Sequence, residues 1–395
     1  MSMNRGALYR HGLTGCLMLA AVGVTLDAHA QSSVTLYGVV DNALSYASNQ
    51  GGNHNIYLSQ GNLNASKFGF TGAEDLGGGL QTIFRLEAGF NSLTGAAASS
   101  TSEFNRQAYV GLSDRDYGTV TLRRQYTPYF NYVGALGPTG VLTGATGAHP
   151  GDLDALDTTL RFNNSVTYTS PTVRGLQASV QYGLGGVAGD FTKGNTLSAA
   201  LRYDLGNLSV AAGYVHLNSL SSSAALATVA DNSPVNSGYA SAQSNQMIAA
   251  AARYTFGQLM VGVNYSNVQY RPGSQSLFLQ TAVFNTYGLI STYTLTPALT
   301  LAAGYSYTRS SEANGVSDPA HYNQFSLEQT YALSKRTTVY FLEAYQRADG
   351  QTLVPNGSGA TQIVNAVAVV GDSQNGTPSS GPSQFVGMVG LRHAF

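Results

Sequence analysis

The chain has little charge, one cysteine and no long apolar run after its first thirty residues. Only 10% of its residues are charged, whereas ordinary soluble domains have about 25%. The cysteine, Cys16, lies in the N-terminal segment. The rest of the chain therefore has no thiolate for metal binding or catalysis, and it can cross an oxidising compartment without forming wrong disulfides.

The charges that are present are nearly balanced. Removing the charges of the N-terminal segment, Arg5, Arg10 and Asp27, leaves 17 basic and 19 acidic residues. A nucleic-acid-binding protein would show a basic excess, so we expect no nucleic-acid partner. Glycine (46 residues) and tyrosine (25) are abundant instead. A low-charge, Gly- and Tyr-rich chain without helical spans is more typical of a transmembrane β-barrel than of a soluble β-protein.

The first thirty residues have the features of an export signal. Two arginines give a positive start, residues 13–26 form an apolar stretch, and residues 28–30 (Ala-His-Ala) form a small-x-small cleavage site. A transmembrane anchor is the alternative, but the apolar stretch is shorter than the ~20 residues that a spanning helix needs. We therefore expect residues 1–30 to be a cleaved signal peptide and residues 31–395 to form the mature protein.

Beyond that segment, apolar residues alternate with small or polar ones along many short stretches. In residues 299–308, Leu299, Leu301 and Tyr305 share one face, and Thr300 lies on the other. A period of two with one apolar face predicts a strand that is wet on one side only. This pattern does not separate a soluble β-sandwich, whose apolar face points inward, from a barrel whose apolar face points outward to lipid.

The connections between these stretches favour the barrel. Seven short links alternate with eight longer polar stretches, at 47–63, 92–103, 126–160, 185–195, 219–244, 271–283, 309–320 and 350–383. Short turns at one end and long loops at the other are expected of bacterial barrels, and this number of connections gives sixteen strands. Closing the barrel removes the exposed strand edges. The predicted fold is therefore all-β, a transmembrane sixteen-stranded antiparallel β-barrel.

Several stretches resemble the Gram-negative general (diffusion) porins, and together they cover nearly all of residues 31–395. They are 33–38 (SVTLYG), 66–70 (SKFGF), 74–80 (EDLGGGL), 106–112 (RQAYVGL), 117–122 (YGTVTL), 163–171 (NNSVTYTSP), 331–337 (YALSKRT) and the ending 390–395 (GLRHAF). The resemblance implies a water-filled channel for passive diffusion of small hydrophilic solutes and ions through the Gram-negative outer membrane.

The same resemblance implies the partners. Such porins are homotrimers in contact with outer-membrane lipid and lipopolysaccharide, and they need no cofactor. In that family a terminal aromatic residue is the signal that the barrel-assembly machinery reads, and here that residue is Phe395.

The selectivity of a pore depends on the charges at its narrowest point. Four basic residues are out of phase with their apolar neighbours, so alternation predicts that they face the lumen: Lys67, Arg85, Arg123 and Arg161.

Arg106 and Arg124 share the phase of apolar neighbours instead. A cation on the lipid face costs about 2–4 kcal/mol at the midplane. These two residues must therefore lie at a rim, at a bulge or against a neighbouring subunit, although the porins that the chain resembles often place the Arg124 equivalent in the pore.

The 126–160 stretch is too long for a simple rim loop. In the porins that the chain resembles, the third outer loop folds into the barrel and its acidic side chains face the basic ones, so this stretch is the predicted constriction loop. Asp152, Asp154 and Asp157 are the candidates for the acidic side, and the alternative is that they are solvated loop residues. The family's Pro-Glu-Phe-Gly-Gly-Asp pattern is reduced to Pro-Gly-Asp at 150–152, which leaves this assignment open.

The predicted selectivity is a mild preference for anions. Alternation places four cations in the lumen near the expected constriction and gives Arg202 and Arg253 the same polar phase, whereas it places only two carboxylates there, Asp41 and Glu87. The anion preference then depends on one or more of the loop aspartates pointing away from the pore.

Enzyme interpretations find little support. The histidines beyond residue 30 lack metal-ligand spacing, and Gly371-Asp372-Ser373 lacks the strand–turn–helix context of a hydrolase nucleophile. We expect no catalytic, cofactor or metal site. Two alternatives stay open: a barrel phospholipase or protease, which needs a Ser/His or Asp/His constellation at the rim, and a substrate-specific channel, which would show saturable transport.

Overall fold

The computed structural model describes residues 33–157, 160–218, 233–372 and 378–395, so the predicted signal peptide lies outside the described residues. Nearly all regular structure in these ranges is β-strand. The strands are β1 (Ser33–Gln50), β2 (Asn53–Gln60), β3 (Lys67–Gly77), β4 (Leu80–Gly89), β5 (Gln107–Asp114), β6 (Gly118–Tyr126), β7 (Arg161–Phe162), β8 (Ser165–Thr169), β9 (Leu176–Gly183), β10 (Thr196–Leu205), β11 (Leu208–Asn218), β12 (Ser244–Phe256), β13 (Leu259–Arg271), β14 (Ala282–Thr294), β15 (Leu299–Ser310), β16 (His321–Ala332), β17 (Thr337–Asp349), β18 (Gln351–Pro355), β19 (Thr361–Asn365) and β20 (Ser383–Ala394).

Helical structure is limited to short pieces. The α-helix α1 (Pro128–Val133) is followed by 3₁₀ turns at Gly134–Leu136, Pro138–Gly140, Pro150–Asp152 and Ser237–Tyr239. In the part of the chain that the structure covers, none of the helices has the length and apolar character to span a bilayer.

The strands close into a sixteen-stranded antiparallel barrel, which confirms the predicted fold. β1 pairs with both β3 and β20, so the first and last spanning strands meet, and the other spanning strands pair with their neighbours in sequence. Two of the spanning strands are composite: β2 continues into β3, and β7 into β8. The hairpin of β18 and β19 lies outside this closed sheet.

The barrel presents its apolar side chains outward. Ile56, Val263 and Phe325 are each more than half exposed, whereas the polar Ser266 and Gln324, which belong to the opposite phase of their strands, are almost fully buried. This reverses the arrangement of a soluble β-protein, and it is the arrangement that a lipid-facing barrel requires.

The first outer connection differs from the predicted loop over 47–63. β1 and β2 pair as a hairpin, with a tight turn at Gly51 and Gly52, which have φ values of 58° and 104°. Residues 48–55, at the tip of this hairpin, are polar or glycine on both faces, so period-two alternation does not identify them as strand. Residues 61–66 interrupt the strand instead and turn toward the lumen, where Asp41 Oδ2 accepts hydrogen bonds from the amides of Leu63 (2.7 Å) and Asn64 (2.6 Å).

The third outer loop folds into the barrel, as the resemblance implied. Helix α1 begins after Thr127, whose Oγ1 accepts a hydrogen bond from the Phe130 amide (3.2 Å), and Pro128 is well suited to the first helical turn. The helix lies against the inner wall at β10 and β11, where small residues make room for it. A β-carbon on Gly213 would lie 3.0 Å from the Tyr129 ring, so glycine allows the helix its close approach.

Candidate functional site

A narrow part of the lumen lies between the third loop and the opposite barrel wall. It is a cavity of about 280 Å³, and it has basic residues on one side and acidic residues on the other. We call it the eyelet and define it by Lys67, Arg106 and Tyr126 on the wall side and by Asp157 and Asp372 on the loop side.

The basic side is built on β3 and β4. Their register places Arg85 opposite Thr71 and Glu87 opposite Gly69, with both side chains on the lumen face that Lys67 shares. Glu87 is buried and holds this group together, because Tyr37 Oη donates a hydrogen bond to its Oε2 (2.8 Å) and Arg106 forms an ion pair with its Oε1 (3.0 Å).

Arg106 lies at the bend just before β5, which begins at Gln107. Its amide donates to the Glu87 carbonyl (3.1 Å), and its side chain lines the eyelet. Because Arg106 precedes the strand, the alternation of β5 does not set the direction of its side chain.

Tyr126 joins Arg106 to Arg161. The Arg161 guanidinium lies 4.9 Å and that of Arg106 5.8 Å from the centroid of the Tyr126 ring, and Arg161 Nη2 also donates to Tyr126 Oη (3.4 Å). A cation over an aromatic face is attracted by about 0.5–2 kcal/mol. We call the four basic residues of this side the basic wall: Lys67, Arg85, Arg106 and Arg161.

Neither Arg123 nor Arg124 lines the eyelet. Arg123 has a φ of 94°, so the regular alternation that predicted its lumen direction does not hold at this position. Both arginines border a depression on the outer face with the outward-facing Phe84 and Val110. Arg124 Nε donates to the Asn105 carbonyl (2.7 Å), which fixes its guanidinium beside the strand end.

The three loop aspartates have different surroundings, and two of them do not face the pore. Asp152 is buried, and its Oδ1 accepts from the Asp157 amide (3.0 Å). Asp154 is fully buried, and its Oδ2 contacts His149 Nδ1 and accepts from Ser266 Oγ of β13, each at 2.5 Å. The assignment of Asp152 and Asp154 to the acidic side of the pore was therefore wrong, and only Asp157 lines the eyelet.

Asp154 instead anchors the third loop to the far wall. Burial acts to raise the pKa of Asp154, but His149, Ser266 and the Leu156 amide outweigh that effect and hold the pKa below its usual value. Further hydrogen bonds attach the third loop to the barrel wall. The Tyr129 amide donates to Ser198 Oγ (3.2 Å), and Gln324 Nε2 donates to the carbonyls of Thr146 (3.0 Å) and Ala148 (2.9 Å).

Replacing Asp154 with alanine should loosen the loop, because it leaves the buried Ser266 hydroxyl and the His149 ring without their hydrogen-bond partner, which typically costs about 1–3 kcal/mol per group. We expect a lower temperature for loss of the folded barrel in SDS gels and a noisier open-channel current, whereas Asp318→Ala, in an exposed loop, should change neither. Because the pKa of Asp154 is lowered by folding, its stabilisation is complete above the usual aspartate pKa and is lost only as the pH falls through the lowered value. A quiet current and unchanged heat stability in Asp154→Ala would contradict the anchor.

Sequence reasoning missed Asp372 and Tyr126 as eyelet residues. Tyr126 stood at the boundary of the predicted loop, and the Gly371-Asp372-Ser373 stretch was weighed only as a hydrolase motif. One signal pointed toward Asp372: residues 363–370, just before it, are unusually apolar for an outer loop. Among the residues with described positions, no cluster of three or more His, Cys, Asp or Glu side chains could hold a metal ion.

The closed barrel and the oppositely charged eyelet agree with comparisons with known proteins. A family model described as Gram-negative porin matches residues 16–351. The chain belongs to the Gram-negative porin family. An outer membrane porin protein of Bordetella pertussis is 29% identical over 371 residues, which cover 84% of this porin and 94% of that protein.

Two solved structures share the fold of this porin. The anion-selective porin from Comamonas acidovorans aligns with a TM-score of 0.70 at 23% identity, over 92% of this chain and all of that one. The trimer form of OmpT, an outer membrane protein of Vibrio cholerae, aligns with a TM-score of 0.63 at 18% identity, over 92% of this chain and 99% of that one. Because the chain belongs to the Gram-negative porin family, this porin is an outer-membrane barrel that forms a passive diffusion channel for small hydrophilic solutes and ions.

Proposed function

We propose that this porin filters solutes by charge at the eyelet, between the basic wall and Asp157. The observation that carries the proposal is the opposition of Lys67 and Arg106 to Asp157 across one cavity of about 280 Å³. Opposite charges on two sides of a narrow pore produce a transverse field, which orients dipolar solutes and is screened as salt rises.

The proposed selectivity is a mild preference for anions. The basic wall contributes four cations against three carboxylates, those of Glu87, Asp157 and Asp372, while Asp152 and Asp154 are buried away from the pore. The positive side therefore exceeds the negative side near the eyelet, and it lowers the barrier for anions.

The alternatives make different predictions. A substrate-specific channel would show saturable transport, whereas the proposed filter predicts fluxes that rise linearly with solute concentration. We propose no catalytic role, and a barrel phospholipase or protease would instead release product from lipid or peptide substrates.

We further propose the steps that bring the channel to its membrane. Residues 1–30 direct export and are removed, Phe395 is read by the barrel-assembly machinery, and three copies associate in contact with lipid and lipopolysaccharide. The trimer form is described for the Vibrio cholerae protein. An SDS-resistant oligomer that dissociates on boiling would support the trimer, and a monomer at all temperatures would contradict it.

Replacing Arg85 and Arg161 together with serine should shift the reversal potential in a KCl gradient toward cation preference. The shift should be largest at ~0.01 M salt, where screening extends over about 30 Å, and should nearly vanish at ~1 M, where it extends over about 3 Å. Arg309→Ser is the matched control, since Arg309 is exposed at the outer end of β15. An equal shift in the control, or no shift in the double variant, would mean that the filter lies elsewhere.

A further inference from the structure

The connection between β17 and β20 enters the barrel. After the hairpin of β18 and β19, the chain turns inward, and Ala366, Ala368, Val369 and Val370 are each at most 4% exposed. We call residues 366–372 the inner segment. Its apolar residues explain the unusual composition of this loop, because they pack inside the barrel and not against water.

Three glutamines on neighbouring strands hold the inner segment by its backbone. Gln346 of β17 donates from Nε2 to the Val369 carbonyl (2.7 Å) and accepts at Oε1 from the Val369 amide (2.6 Å). Gln384 Oε1 accepts from the Val370 amide (3.1 Å), and Gln324 Oε1 accepts from the Gly371 amide (3.4 Å) and from Gln346 Nε2 (2.7 Å). All three side chains are buried, so these bonds form away from water, where such bonds are strong.

The inner segment is also bonded to the third loop. The Asp372 amide donates to the Gly144 carbonyl, and the Gly151 amide donates to the Gly371 carbonyl, both at 2.9 Å. Gly371 has a φ of 65°, and a β-carbon there would collide with the carbonyl of Ala145, so the contact requires glycine at this position. The third loop and the inner segment are therefore one joined structure inside the lumen.

The contact between the third loop and the inner segment places a second carboxylate, that of Asp372, beside Asp157. A β-carbon added to Gly144 would collide with Asp157 Oδ2 and would lie 3.1 Å from Asp372 Oδ2, so the two carboxylates are neighbours. Asp372 lines the eyelet, and it also lines a cavity of about 430 Å³ that shares Arg106 and contains Tyr57. Asp372 and Arg106 are thus the two charged residues that both spaces share.

We infer that Asp372 is a selectivity-determining residue of the pore and that the inner segment is a second, fixed constriction element which carries it. This inference rests on the proposed charge filter and extends it, because half of the acidic side then comes from a loop more than 200 residues after Asp157 in the sequence. The two loops act together, since each supplies one carboxylate to the same side of the eyelet.

The direct test is the isosteric variant Asp372→Asn, measured in planar bilayers with a KCl gradient at low salt. We expect a shift of the reversal potential toward anions that is comparable with the shift in Asp157→Asn, with little change in the conductance step at high salt. Asp190→Asn, in a different and exposed outer loop, should cause no shift. A shift in Asp157→Asn without one in Asp372→Asn overturns this inference alone, whereas no shift in either, together with none in Arg85→Ser/Arg161→Ser, overturns the charge filter itself.

Chemical modification tests the position of Asp372 without relying on its charge. With Cys16 replaced by serine, the chain has no other cysteine, so Asp372→Cys can be labelled selectively. We expect methanethiosulfonate reagents added to open channels to reduce the current stepwise, with the anionic and cationic reagents shifting selectivity in opposite directions. Asp190→Cys should react without changing the current. A fully labelled Asp372→Cys channel with an unchanged current would show that residue 372 does not border the ion path.

Discussion

Replacing Phe395 with aspartate should leave export intact and abolish the heat-modifiable barrel in the outer membrane. Phe395 completes the seam between the last and first strands: its amide donates to the Gly38 carbonyl (3.0 Å), and the Gly38 amide donates to its carbonyl (3.1 Å). Its ring covers Gly38, where any β-carbon would collide with it. The substitution with aspartate removes the contact between the ring and Gly38. It also removes the aromatic group that the assembly machinery is proposed to read.

Two further variants separate recognition by the machinery from packing at the seam. Phe395→Tyr keeps an aromatic ring and should assemble normally. Gly38→Leu keeps the C-terminal residue but displaces its ring, so the barrel should still reach the outer membrane and lose its fold at a lower temperature. If Phe395 is mainly a recognition signal, purified Phe395→Asp should refold in detergent although it fails in cells. Normal accumulation of Phe395→Asp in the outer membrane would contradict both roles.

The barrel was predictable from the sequence because its determinants are local. Period-two alternation, as in residues 299–308, specifies a strand with one apolar face, and the alternation of short and long connections specifies the strand number. The error at 47–63 has a physical cause: residues 48–55 at the hairpin tip have no apolar face, so the alternation that identifies a strand is lost there.

The site was only partly predictable, since its geometry depends on departures from regular structure. Alternation correctly placed Lys67, Arg85 and Glu87 on one face, because β3 and β4 pair without irregularity there. It failed at Arg106, which lies in the bend before β5, and at Arg123, where a positive φ changes the direction of the side chain.

The acidic side was hardest to predict because it is formed by contacts between distant segments. Asp154 faces Ser266, and Asp372 reaches Asp157 only because both loops fold inward and pack on each other. No local pattern in either loop encodes those contacts. The buried polar anchors also explain why acidic residues in one loop have different roles: a carboxylate removed from water must be bonded, and Asp154 is bonded to Ser266 on the far wall, whereas Asp157 lines the eyelet.

Replacing Glu87 with glutamine should strengthen the anion preference of the channel, whereas neutralising any of the four cations of the basic wall should weaken it. Glu87 is the counter-ion that lies among Lys67, Arg85 and Arg106, and glutamine removes its charge while keeping a group that can accept the Tyr37 hydrogen bond. One unit charge ~6 Å from the ion path in water contributes about 0.7 kcal/mol, which changes the local anion concentration about threefold. The anion-to-cation permeability ratio should therefore rise by at least that factor at low salt and return toward the wild-type value at ~1 M. Glu312→Gln, in an exposed outer loop, is the matched control and should leave the ratio unchanged. A shift toward cations in Glu87→Gln, or equal shifts in both variants, would mean that Glu87 does not face the ions that cross the eyelet.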